Sequence, residues 1–131
     1  MPENSTDLVA NPYSWNKNAN VLYLDHPAGV GFSTCNGTDC DHSDASDGID
    51  NLSVMRSFFA AFPEYKKHDL WLSGESYAGI YIPYLLWNID QFNTNSSTSE
   101  EDKINVKGMM VGDGVTNWAY DTMPATLNMT Y

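Results

Sequence analysis

Apolar positions along the chain fall into three short continuous runs and two longer stretches of helical character, separated by polar segments marked with glycine and proline. Residues 20–25, NVLYLD, are mostly apolar and are soon followed by Pro27, which predicts a buried strand opening into the turn-rich HPAGVGFS. Residues 36–48, NGTDCDHSDASDG, read as an acidic surface loop. Beyond them Leu52, Met55, Phe59 and Phe62 recur at helical spacing, with Asp47 and Asp50 as N-cap candidates and Pro63 as the stop. A second strand is predicted at residues 69–73, DLWLS, running directly into Gly74. After Ser76 the stretch YAGIYIPYLLWNI is apolar on every side, as in a helix at the molecular centre, with Pro83 as a kink or boundary. Residues 93–103 form a polar loop, and a third strand is expected at 106–111, ending in GDG.

Strand, helix, strand, helix, strand is the order of an α/β fold: a parallel sheet with helices on both faces and right-handed crossovers. With 131 residues the chain can bury one modest core, so residues 1–131 are a single domain or part of one, without internal repeats. Seventeen acidic against 6 basic side chains give a formal charge of −11. Nucleic acid and anionic membranes are poor partners for such a surface, because phosphate recognition needs clustered Lys and Arg. The start, MPENSTD, has neither the basic flank nor the apolar core of a signal peptide, and no stretch approaches the roughly 20 apolar residues of a membrane span.

Asn-x-Ser/Thr sequons stand at Asn4, Asn36, Asn51, Asn95 and Asn128, which fits a secretory-pathway protein, lysosomal, vacuolar or secreted. Cys35 and Cys40 lie five apart in a polar loop; the sequons favour a local disulfide over two free thiols. Asp39, Asp41, Asp44 and Asp47 lack the central glycine and closing glutamate of a calcium loop, so no metal site is expected, and no cofactor.

The candidate chemistry sits in SGESYAG, residues 73–79. In a parallel α/β sheet active sites gather where strands end and loops lead into helices. A strand, then Gly-x-Ser-x-small, then a helix is the pattern of a nucleophile elbow: a turn so tight that the serine backbone is strained and its neighbours must be small. Gly74, Ala78 and Gly79 meet that need, Ser76 is the candidate nucleophile, and the amide of Tyr77 is the candidate half of an oxyanion hole at the start of the helix. The plain alternative is a serine capping a helix. Tyr77, Tyr81, Tyr84 and Trp87 read as core side chains, with Tyr77 able to face a substrate pocket.

NPYSWN at 11–16, VLYLDHPAGVGFS at 21–33, FFAAFPEYK at 58–66, LSGESYAGIYIP at 72–83 and KGMMVGDGVTN at 107–117 together resemble the serine carboxypeptidases, in that family's order and spacing. The resemblance covers residues 8–117 and implies a partial α/β-hydrolase fold. It also implies proteolysis that removes the C-terminal residue of peptides or proteins through an acyl-enzyme on Ser76. It gives Glu75 a role, binding the terminal carboxylate of the substrate; in acid a protonated Glu75 can donate a hydrogen bond where a charged one would repel. Where His26 stands the family usually has Ser or Gln, and where Asp113 stands it has Asn. The family's glycine-rich oxyanion segment would precede residue 11, and its triad Asp and His would follow residue 131. The chain therefore reads as the central part of such a domain, incomplete at both ends and inactive by itself. The rival readings are a non-catalytic remnant with a binding or structural role, and a carboxypeptidase-like acyltransferase.

Overall fold

The computed structural model describes residues 8–37, 40–117 and 121. Two helices and two strands form the frame: α1 (Asp44–Ala61), β1 (Leu70–Glu75), α2 (Ala78–Thr94) and β2 (Val106–Gly112). The strands pair in parallel, from Leu70 opposite Val106 to Glu75 opposite Gly112, with a register irregularity between Leu70 and Trp71. At this point Gly108 makes room for the Trp71 ring, whose nearest atom would lie 2.8 Å from any added Cβ.

Met55 and Phe59 of α1, Leu72 of β1, Ile82, Leu85 and Ile89 of α2, and Ile104 make one core. α1 packs on α2, and α2 packs on both strands. Gly48 lets the two helices approach: a side chain there would meet Tyr84 and Asn88 of α2. The α/β class and the parallel sheet are as expected from the sequence. Of the two faces expected to carry helices, the described residues cover one; Trp71, on the other, is 54% exposed. Trp87 and Tyr84 are also exposed rather than core, whereas Tyr77 and Tyr81 are half-buried.

Two expectations change. Residues 20–25 have no regular structure and join no ladder among the described residues, although Leu24 packs against the core. Their apolar run reads as a strand because burial and strand pairing leave the same pattern, and here only partial burial, of Val21 and Leu24, is realised. The first helix also starts earlier than the periodicity suggested. Ser43 is its N-cap, and Ser43 and Ser46 form a reciprocal capping box, the Ser46 amide donating to Ser43 Oγ at 3.1 Å and the Ser43 amide to Ser46 Oγ at 2.9 Å. Residues 44–48 therefore belong to the helix rather than to a surface loop, and Asp47 and Asp50 are inside it. Ser43→Ala should cost about 1 kcal/mol of stability, read by denaturant unfolding, because two orphan donors of the first turn lose their acceptors or geometry together. The second helix contains Pro83, which cannot donate to the Gly79 carbonyl one turn back.

Candidate active site

β1 ends at Glu75, and the chain then turns through Ser76 at φ +58°, a left-handed conformation that residues other than glycine rarely hold. The turn is pinned on three sides. The Ser76 amide donates to the Gly112 carbonyl at 2.9 Å, so β1 stays in register with β2 up to the bend. The Ser76 carbonyl accepts from the amides of Gly79, at 3.0 Å, and Val115, at 2.9 Å. That carbonyl and the Tyr77 N–H belong to one trans peptide and point in opposite directions. Fixing the carbonyl toward Gly79 and Val115 therefore aims the Tyr77 amide away from them, at the start of α2.

The small residues of SGESYAG have distinct reasons. A Cβ on Gly74 would lie 2.5 Å from Cβ of Ala78, and one on Gly79 would run into the carbonyl of Val115. Hence the strand can enter the bend, and the helix can leave it, only with Gly74, Ala78 and Gly79 as they stand. Ser76 and Glu75 are both exposed, and neither side chain has a hydrogen-bond partner among the described residues. α2, 17 residues long, starts two residues after Ser76, so its N-terminal dipole favours negative charge beside the hydroxyl.

The loop after β2 braces this turn. Asp113 also has a positive φ, +43°, and residues 114–117 bring the Val115 amide onto Ser76. The Asp121 carboxylate accepts from the Asn117 amide at 2.7 Å, from the Thr116 amide at 2.6 Å and from the Thr116 hydroxyl at 2.9 Å. Those donors, the Asn117 amide first, hold the Asp121 carboxyl below the usual carboxylate range. A depressed carboxyl contributes stability that is present above its unfolded value and lost only as pH falls through the lower, folded one, so the brace persists into acid.

Beside the elbow lies a cluster that the sequence did not announce. Tyr77 donates its phenol to Asp44 Oδ1 at 3.0 Å. The rings of Tyr77 and Tyr81 are 4.7 Å apart, and the edge of His26 meets Tyr81 at the same distance. His26 Nδ1 lies 2.9 and 3.1 Å from the two oxygens of Asp47, and Asn51 donates to Asp47 Oδ2 at 3.1 Å. Asp47, in the stretch read as a solvated loop, is only 3% exposed. It is buried because these two donors satisfy it. Partners 21 and 33 residues apart leave no local signal, and the one hint was that His26 departs from the family pattern. All three histidines are described, and none is hydrogen-bonded to Ser76: His26 faces Asp47, His42 faces the Ala28 carbonyl, and His68 lies beside Tyr65. Pro27, His42, Ser43, Asp44, Asp47, Tyr77 and Tyr81 enclose a cleft of about 160 Å³.

Cys35 and Cys40 are joined as a disulfide. Of the sequon asparagines, Asn36 and Asn95 are exposed, while Asn4 and Asn128 lie outside the described residues. Asn51 is a correction: it is 4% exposed, and its amide is engaged with Asp47, so this fold leaves no room for a glycan there. Among the described residues no group of three or more His, Cys, Asp or Glu side chains could hold a metal ion, and no helix is long and apolar enough to cross a membrane. Asp39 of the acidic loop lies outside the described residues.

A family model described as serine carboxypeptidase matches residues 1–131. The chain belongs to the serine carboxypeptidase family. It is 44% identical over 120 residues to serine carboxypeptidase-like 34 of Arabidopsis thaliana, covering 88% of this chain and 23% of the relative. It is 42% identical over 118 residues to serine carboxypeptidase ctsa-4.1 of Caenorhabditis elegans, with 88% and 24% covered. Among solved structures it is similar to Kex1(delta)p, a prohormone-processing carboxypeptidase from Saccharomyces cerevisiae. That match has a TM-score of 0.73 at 26% identity and covers 89% of this chain and 26% of the other. The chain thus spans about a quarter of the length of the relatives it matches. The Kex1(delta)p match supports a partial α/β-hydrolase fold.

Proposed function

We propose that the complete protein carrying this segment is a serine-type carboxypeptidase that hydrolyses the C-terminal peptide bond of peptides or proteins. Ser76 would attack the scissile carbonyl and form the acyl-enzyme, the Tyr77 amide would receive the developing oxyanion, and Glu75 would bind the terminal carboxylate. The observation that carries this reading is the strained, exposed serine at the end of β1, whose carbonyl is held so that the next amide faces the opposite side. A capping serine would have no need of a left-handed backbone or of three small neighbours. No cofactor is required by this chemistry. The sequons at Asn36 and Asn95 and the disulfide suit a lysosomal, vacuolar or secreted location.

Labelling tests the nucleophile. A fluorophosphonate should modify the complete protein at Ser76, and peptide mass spectrometry should place the adduct there. An adduct that persists in Ser76→Ala would put the nucleophile elsewhere.

A further inference from the structure

The elbow is held by backbone bonds on its carbonyl side, but the residue after the nucleophile is also gripped through its ring. Tyr77 is the N-cap of α2, yet its side chain makes no bond to that helix's own amides. The ring instead reaches across to the first turn of α1, where its phenol donates to Asp44 at 3.0 Å and its face lies against Tyr81. We propose that Asp44 is a positioning residue for the elbow: by anchoring the Tyr77 ring it holds the Tyr77 backbone, and with it the oxyanion-binding amide, in place beside Ser76. This rests on the reading of Ser76 as nucleophile.

Gly79 and Val115 hold the 76–77 peptide plane by its carbonyl, and the amides of Ile80 and Tyr81 hold the Tyr77 carbonyl at 2.9 and 3.3 Å, so the main chain restrains the plane that carries the Tyr77 amide and the ring adds a hold from α1. A ring tied to another helix resists a tilt of that plane as a whole, because the side chain and the peptide meet at the same Cα. Asp44 suits the task. It stands in the first turn of α1, whose amides favour a negative charge, and the capping box at Ser43 and Ser46 sets the direction of that turn. The tyrosine pair and the His26–Asp47–Asn51 cluster close the other side of the ring's cage. An amide misplaced by a fraction of an ångström stabilises a developing oxyanion less while still allowing substrate to bind.

The experiment compares Tyr77→Phe, Asp44→Ala, Asp44→Asn and the double Tyr77→Phe/Asp44→Ala in the complete protein, with Ser76→Ala as control. Tyr77→Phe and Asp44→Ala should each lower kcat on the order of 10-fold with KM nearly unchanged. The double variant should be no worse than either single one, and Asp44→Asn, which keeps an acceptor oxygen, should recover most of the rate. Additive losses, or wild-type kcat in Tyr77→Phe, would overturn the proposal. A second readout does not need activity. Burial first, and then the bond to Asp44, raise the Tyr77 phenol above the ordinary tyrosine range. Its titration, followed by NMR, should therefore move down in Asp44→Ala. No movement would sink the anchor itself, whereas full activity in Ser76→Ala would sink the nucleophile reading on which the catalytic role depends.

Discussion

Ser76→Ala in the complete protein is expected to lower kcat for C-terminal hydrolysis by on the order of 10⁴-fold or more, with substrate affinity largely kept. The size follows from what one oxygen does here. Ser76 is exposed, its backbone is held by Gly112, Gly79 and Val115, and its side chain is committed to no structural bond among the described residues. Removing that oxygen should therefore leave the fold, the Tyr77 amide and the α2 N-terminus as they were and delete only the proposed covalent step. The same logic sets the expectation for residues 1–131 taken alone. None of the three histidines is bonded to Ser76, and a serine hydroxyl without a base is a weak nucleophile. The isolated segment should hydrolyse no peptide and take little fluorophosphonate. Steady-state kinetics on a short free-acid peptide, with the segment and the complete protein side by side, measure both. Activity of the isolated segment that disappears in Ser76→Ala would show that a base has been missed.

The parts of this site that the sequence displays are those built from neighbours. SGESYAG carries its own explanation, because a bend that leaves Ser76 at positive φ demands small residues a few positions either side, and Gly74, Ala78 and Gly79 are all in one seven-residue string. β1, α2 and β2 were legible for similar reasons: each is centred on a largely apolar run with clear punctuation. What the string does not display is why its small residues are tolerated by the rest of the chain. Gly79 is forced by the Val115 carbonyl, and the Val115 amide is placed by a loop that Asp121 ties together. Asp47 looked like one more solvated acid, since a run of aspartates has the composition of a surface, and its burial rests on Asn51 one turn on and on the approach of His26 from 21 residues away. Residues 20–25 failed in the opposite direction. Their pattern reports two half-buried side chains, Val21 and Leu24, and hydrophobicity alone does not distinguish that from a strand with hydrogen-bonded neighbours.

Glu75 carries the second large expectation. It is the last residue of β1, paired in register with Gly112, exposed, and adjacent to Ser76. Among the described residues it has no hydrogen bond, which sets it apart from Asp44, Asp47 and Asp121, each engaged by named donors. A protonated carboxyl can donate to the substrate's terminal carboxylate, and an ionised one repels it, so free-acid peptides should bind better at acid than at neutral pH. A hydrogen bond to a charged group is worth roughly 1.5–3 kcal/mol, or about 10- to 150-fold in kcat/KM. Glu75→Ala should lose about that much at acid pH on peptides with a free C-terminus. Amidated peptides and simple esters, which bring no carboxylate, should lose far less. The deciding quantity is the ratio of kcat/KM for a free-acid peptide to that for its amide, in both variants, at acid and neutral pH. In the native protein the ratio should fall as pH rises, and in Glu75→Ala it should be low and nearly flat. A ratio that Glu75→Ala leaves unchanged at acid pH would mean that the acid beside the nucleophile serves the geometry of the bend, and that the terminal carboxylate is recognised by other groups.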